Sequence, residues 1–250
     1  MHNRATGACP ASFIGFALVA RTRAVIVLGH RGARAIAPEN TRAAFAAALS
    51  AGAAGSEFDV RTSADGALVC VHDATVDVGG SERRVCDATV AELRDSIGVL
   101  TLDEALVALA GAIALVEIKN QPWDACYDAS LGIAEAVAAA VPGDAIVACF
   151  DPASLARVHE VRPEVRTAVI TPVMIDPASN LEAAVAGGHA ICSVEHDALT
   201  PVFVGAAHEA GRQVFAWTTD EPQRVRELAT WGVDALMCDD PARALAALRA

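Results

Sequence analysis

The feature that most restricts the fold is an alternation. From residue 25 onward, short apolar runs recur at 25–29, 55–60, 112–118, 145–150, 166–170, 190–194, 213–217 and 235–238. Between them lie stretches with helical spacing of apolar residues at 41–51, 124–140, 152–161, 180–186, 201–210, 222–231 and 241–248. Strand-length runs alternating with amphipathic segments read as repeated βα units around a parallel sheet. The punctuation agrees. Pro152 and Pro222 stand in first-turn positions, where a missing N–H costs nothing. Gly211 and Gly232 fall where a helix hands over to the next strand. Eight such strands predict an α/β fold of the (β/α)8 TIM-barrel type. A doubly wound sheet is the alternative, but no Gly-x-Gly-x-x-Gly turn follows the first strand.

A short insertion is expected between strands 2 and 3. Asp65-Gly66 marks a turn, 67–72 reads as a strand folding back on the second strand, and 87–94 and 102–110 have helical spacing. No linker or shift in composition divides residues 24–250, so they are expected to form a single barrel. Residues 1–23 stand apart. Their apolar stretch, 11–20, is too short to span a bilayer, and the segment reads as a leader or loosely packed extension. No stable membrane insertion is expected. The seven cysteines form no CxxC pair, which argues against a disulfide framework and for a reducing compartment. The chain is accordingly expected to be cytoplasmic, with export through the leader as the alternative. The net charge of −12 disfavours nucleic acid as a partner. An anionic small molecule would need positive charge supplied by its own pocket.

Catalytic groups of a parallel barrel collect at the C-terminal strand ends. His30 and Arg31 end the first run, Glu57 and Asp59 the second, His72 the back-folded strand, Glu117 and Lys119 the third, and Trp217 the seventh. Residues two apart on a strand share a face, so Glu57 points with Asp59 and Glu117 with Lys119. Three carboxylates in one pocket repel one another, and a divalent cation relieves that repulsion. All-oxygen donors suit a hard ion, Mg²⁺ or Ca²⁺. His30 and His72 form a candidate acid/base pair, because imidazole titrates nearest neutrality. Arg31 and Lys119 are charge-assisted donors suited to phosphate oxygens or to ion pairs with the same carboxylates. Trp217 fits a pocket wall or a core indole. His159, His189, His196 and His208 read as structural or surface groups.

In these stretches the chain resembles the glycerophosphodiester phosphodiesterase family. The matching segments, in order, are His30-Arg31-Gly32, Pro38-Glu39-Asn40-Thr41, Glu57-Phe58-Asp59-Val60, Asp65-Gly66, His72-Asp73, Glu117-Ile118-Lys119, Phe150-Asp151, Trp217-Thr218 and Gly232-Val233-Asp234. The resemblance implies a metal-dependent barrel that hydrolyses glycerophosphodiesters to glycerol 3-phosphate and an alcohol. It implies Glu57, Asp59 and Glu117 as metal ligands, His30 and His72 as general acid and base, and Arg31, Lys119 and Trp217 against the substrate. Glu39 is implied as support behind them. One stretch departs from the pattern. After His72-Asp73 the family usually continues Thr-Leu-x-Arg-Thr-Thr, and here the chain reads Ala74-Thr75-Val76-Asp77-Val78-Gly79-Gly80. Alternatives that keep the barrel are a lysophospholipase D, a sphingomyelinase D-like phosphodiesterase, a barrel that only binds a phosphorylated ligand, and a metal-dependent aldolase.

Overall fold

A computed structural model describes residues 24–172 and 174–250. The leader reading of residues 1–23, with Cys9 in it, falls outside the described residues. In chain order the elements are β1 (Ile26–His30), α1 (Arg42–Ala51), β2 (Gly55–Thr62), β3 (Leu68–Cys70), β4 (Thr75–Val78), β5 (Ser81–Arg84), α2 (Val90–Ile97), α3 (Leu102–Ala108), β6 (Ile113–Ile118), α4 (Gly132–Ala140), β7 (Ile146–Cys149), α5 (Pro152–Val161), β8 (Arg166–Thr171), α6 (Pro177–Ala186), β9 (Ile191–Glu195), α7 (Pro201–Glu209), β10 (Gln213–Trp217), α8 (Pro222–Trp231), β11 (Ala235–Cys238) and α9 (Pro241–Arg249).

Parallel pairing runs β1-β11-β10-β9-β8-β7-β6-β2, and β1 also pairs with β2, so the eight strands close into a barrel. Closure leaves no unpaired barrel edge. Alternation along each strand sorts the side chains into two cores. Leu28, Leu115, Ile146, Ala168, Ile170, Ile191, Phe215 and Met237 fill the barrel interior. Val27, Phe58, Val116, Val147, Val194 and Leu236 pack outward against the helices, where Phe45 of α1 meets Phe58. Full burial of each large aliphatic or aromatic side chain stabilises by about 1.5–3 kcal/mol, so these two layers are the main source of the fold's stability. Gly55 is the tight point of the barrel wall, since a Cβ there would lie 2.0 Å from the Ile113 carbonyl oxygen.

The helix starts follow their caps. Thr41, Asp151 and Thr200 each accept a backbone N–H in the first turn, and Thr89 and Thr101 form reciprocal capping boxes with Glu92 and Glu104. Three expected helices move; the one expected over 87–94 is α2, set at Val90–Ile97 by its Thr89 cap. The run at 124–140 is helical only from Gly132. Upstream, the Asp128 carboxylate accepts the N–H groups of Ser130 and Ile133, and Leu131 takes a left-handed φ of 61°, so side-chain acceptors compete with the helix ladder. The run at 180–186 begins earlier, at Pro177, because Asp176 caps it by accepting from Ala178 N.

The insertion after β2 carries β3, β4, β5 and α2. The strand expected over 67–72 is β3, antiparallel to β2 with Val60 opposite Cys70. The unusual stretch after Asp73 folds into a hairpin, β4 with β5, turned at Gly79-Gly80 with φ of 64° and 84°. It has a small core of its own in Val69, Val78, Val85, Leu93 and Val99.

The reading of the cysteines requires correction. Cys86, just after β5, is disulfide-bonded to Cys126 in the β6–α4 loop, with Cα atoms 5.7 Å apart. Forty residues separate the two, and only the packing of the hairpin against that loop brings them together. Cys70, Cys149, Cys192 and Cys238 are free and buried. The compartment argument from unpaired thiols therefore no longer holds. Among the described residues, no helix is long and apolar enough to cross a membrane.

His189 is buried between β8 and β9, its Nδ1 2.9 Å from Thr167 Oγ1 and its ring stacked on His159 at 5.1 Å. Burial, with the nearby His159 and Arg212, lowers its pKa from 6.5 to about 4. The folded state therefore resists taking up a proton that the unfolded chain accepts. Stability from this group is complete above about pH 6.5 and is lost as pH falls through about 4. We expect the thermal midpoint to fall across that window and the His189→Gln variant to show a shallower fall, measured by circular dichroism melts at fixed ionic strength.

Candidate active site

The interior layers change character toward the C-terminal end of the barrel. Two residues beyond Leu28 comes His30, beyond Leu115 comes Glu117, and beyond Phe215 comes Trp217, so the next layer up is polar. Strand register then sets the neighbours. His30 lies opposite Glu57, and Asp59 opposite Glu117. His30, Glu57, Glu117, Phe150, Ser193 and Trp217 line a recess of about 20 Å³ at the mouth. Next to it, sharing Phe150, is a wider cavity of about 410 Å³ bordered by His72, Lys119, Arg61, Asp124 and Trp123.

The His-Arg-Gly turn explains itself in this geometry. Arg31 takes a left-handed φ of 53° and Gly32 one of 83°. At Gly32 a Cβ would lie 2.5 Å from that of Ala44, so glycine alone fits. The turn aims the Arg31 backbone N–H at Glu57 Oε2, 2.9 Å away. It also brings the guanidinium over Asp59, with Nε 3.2 Å from Oδ2, while Nη1 donates to Glu39 Oε1 at 2.8 Å. Lys119 reaches the same acids from β6, with Nζ 2.6 Å from Glu117 Oε1 and 3.5 Å from Asp59 Oδ1.

Glu57 and Asp59 are 3% and 1% exposed, and burying an uncompensated carboxylate costs several kcal/mol. The two are compensated unequally. Burial alone would raise the Asp59 carboxyl, but Lys119 and Arg31 outweigh it and hold the group below the ordinary carboxylate range. Glu57 has less help. Burial first, then the charges of Asp59 and Glu117, push it well above that range against the Arg31 N–H. Its Oε1 is buried and without a hydrogen-bond partner. Oxygens of Glu57, Asp59 and Glu117 all lie within 4.8 Å of one another. A hard divalent cation fits this set: three oxygen donors, an excess of negative charge, and one buried oxygen lacking a partner.

Both histidines are tied at the same ring atom. His30 Nδ1 is 2.7 Å from Asp239 Oδ1, and His72 Nδ1 is 2.7 Å from Asp73 Oδ1. A carboxylate accepts, so Nδ1 carries the proton, and Nε2 is the basic nitrogen of each neutral ring. His30 Nε2 faces inward, 4.0 Å from Glu57 Oε2. Trp217 stands edge-on to Phe150, ring centres 6.0 Å apart, as a wall of the recess.

All the residues singled out in the sequence therefore reach the barrel mouth, in two adjoining cavities and the contacts around them. Sequence reasoning missed three that hold them. Asp239, one residue past β11, binds His30 and also lies 3.0 Å from Arg34 Nε. Asn40, within the Pro-Glu-Asn-Thr stretch, donates to Asp59 Oδ2 at 3.0 Å and accepts its backbone N–H at 3.2 Å. Arg61 continues the Glu57, Asp59 face of β2 by two residues and binds Asp124. The i+2 rule pointed to Arg61 and the quoted motif to Asn40. Asp239 is a single acid in an Asp-Asp pair with no local signal.

The Glycerophosphoryl diester phosphodiesterase family model matches residues 30–243. The chain belongs to that family. It is 28% identical over 242 residues to a glycerophosphodiester phosphodiesterase of Caldanaerobacter subterraneus, covering 86% of this chain and 94% of that one. The crystal structure of the Thermotoga maritima glycerophosphodiester phosphodiesterase aligns with a TM-score of 0.73 at 28% identity, covering 88% and 96% of the two chains. An Oleispira antarctica phosphodiesterase in complex with sn-glycerol-3-phosphate shares the fold, with a TM-score of 0.77 at 22% identity and coverage of 90% and 97%. Membership makes the chain a phosphodiesterase, and the site lies at the barrel end where such chemistry belongs.

Asp239 lies at this site through its hold on His30. Burial alone would raise its carboxyl, but the His30 hydrogen bond and the Arg34 charge keep it lowered, so it is an acceptor near neutral pH. We expect Asp239→Ala to free the His30 ring and lower kcat on bis(p-nitrophenyl) phosphate at least ~10-fold, with little change in thermal midpoint.

Proposed function

We propose that this chain hydrolyses glycerophosphodiesters to glycerol 3-phosphate and an alcohol, with His30 and His72 as the acid/base pair and Glu57, Asp59 and Glu117 holding one Mg²⁺ or Ca²⁺. The observation that carries the reading is the arrangement around Glu57: three clustered carboxylates, one with a buried unpartnered oxygen, beside an imidazole whose free nitrogen faces them. The Oleispira antarctica neighbour holds sn-glycerol-3-phosphate, the product proposed here.

The substrate phosphate sits between Arg31 and Lys119, whose charges oppose the build-up of negative charge on its oxygens. A divalent cation bound by the three carboxylates supplies further positive charge to those oxygens. One histidine takes a proton at Nε2 from the attacking oxygen, either water or the substrate's own glycerol hydroxyl; in the second case the cyclic phosphate formed is opened by water in a following step to give glycerol 3-phosphate. As the new P–O bond forms, the bond to the alcohol breaks, and the other histidine, which enters the step protonated at both ring nitrogens, donates its Nε2 proton to the departing oxygen. Asp239 and Asp73 hold the two rings, Glu39 steadies Arg31, and Trp217 with Phe150 bounds the recess against water.

Removing either imidazole, His30→Ala or His72→Ala, is expected to lower kcat by about 10²–10⁴-fold. Dialysis against EDTA is expected to abolish glycerol 3-phosphate release, and Mg²⁺ or Ca²⁺ added separately to restore it. Full activity in EDTA, or in a protein lacking both imidazoles, would contradict the scheme.

A second reading, lysophospholipase D activity at the same site, is favoured by one observation. Trp123 is 78% exposed and borders the His72 cavity with Phe150 and Pro172, an apolar surface for an acyl-bearing group. Parallel kcat/KM values for glycerophosphocholine and lysophosphatidylcholine separate the two.

A further inference from the structure

His72 needs an anchor that its own strand does not provide. β3 ends at Cys70, so the backbone at His72 is outside the sheet ladder. The ring's partner, Asp73, is itself 74% exposed and can hold the ring only as well as the turn is held. The turn is held by Arg61. Arg61 is 3% exposed and donates Nε to the His72 carbonyl oxygen at 2.9 Å. Its other two nitrogens make a fork to Asp124, Nη1 to Oδ1 at 2.9 Å and Nη2 to Oδ2 at 2.8 Å.

Asp124 is fixed in turn. Its Oδ1 accepts the Cys126 backbone N–H at 2.8 Å, and Cys126 is crosslinked to Cys86. The loop bearing Asp124 is outside any helix or strand, and the crosslink and the fork act there beside turn hydrogen bonds (Asp124 N to Gln121 O, Tyr127 N to Asp124 O) and the two-way pairing of Asn120 with Asp128. A planar guanidinium with all three nitrogens engaged has one geometry, and that geometry sets the height of the His72 carbonyl.

We infer that Arg61, held by Asp124 and through it by the Cys86–Cys126 crosslink, is a positioning residue for His72. This rests on the reading of His72 as an acid/base group. Arg61 touches neither the phosphate nor the reacting atoms in this scheme. Displacement of a catalytic group by about 1 Å can cost up to ~10²-fold in rate, and that is the scale at issue.

The test compares Arg61→Met, Asp124→Asn and the double substitution Cys86→Ser with Cys126→Ser, each alone and in a His72→Ala background. The substrates are glycerophosphocholine and bis(p-nitrophenyl) phosphate. The expected result for Arg61→Met and Asp124→Asn is a fall in kcat of about 10- to 100-fold with KM changed less than about threefold. The crosslink-free protein should show a smaller fall of the same kind. In the His72→Ala background the same substitutions should cost nothing further, because the group they position is gone. A general structural role would lower the residual activity there as well, and equal losses in both backgrounds would overturn the proposal. If Arg61→Met does not fold, Asp124→Asn carries the test, since it keeps the shape and one acceptor. An inactive His72→Ala enzyme beside fully active Arg61→Met and Asp124→Asn enzymes overturns this proposal alone. A fully active His72→Ala enzyme overturns the functional reading and this proposal with it.

Discussion

The structure turns on two buried carboxylates and a third, partly buried, at the end of a barrel that is otherwise apolar. Glu57 and Asp59 are nearly inaccessible and stand beside Glu117 across one strand pair. Such a cluster is tolerated only where positive charge is brought to it. Two of the cations come from the chain: Arg31, delivered by a left-handed turn, and Lys119, two residues along β6 from Glu117. They favour Asp59 and Glu117 and leave one oxygen of Glu57 unpartnered. The imbalance is what the proposed divalent cation would relieve, and the same positive charge that neutralises the acids suits an anionic diester.

Around this cluster several side chains of the candidate site are held by groups from other segments of the chain. Asp239 from the last strand end holds His30 from the first. Asn40, before α1, holds Asp59 on β2 by both its donor and its acceptor. Arg61 holds the turn of His72 and is itself held from the β6–α4 loop. Parallel strands in register make this economical, because one layer of strand ends brings remote sequence segments within hydrogen-bond reach.

The architecture was legible because its signals are periodic. The eight apolar runs of the sequence became the eight barrel strands, since a strand buried on both faces needs an unbroken apolar run. The site was legible for a related reason: Glu57 with Asp59, and Glu117 with Lys119, sit two apart at the ends of such runs. Errors gathered where local and long-range signals conflict. The apolar spacing of 124–140 suggested one helix, but Asp124 and Asp128 spend their carboxylates on Arg61 and on loop N–H groups. The β4–β5 hairpin lay in a stretch whose departure from the family pattern was visible and whose shape was not.

The sequence by itself determined the barrel, the family and the identity of the polar groups at its mouth, because these follow from short-range periodicity and from motifs read in order. Only the tertiary structure decided that Asp239 holds His30, that Arg61 and Asp124 meet, and that two of the seven cysteines are paired. Those are contacts between residues 40 to 209 positions apart, set by strand register and loop packing, and no local pattern encodes them.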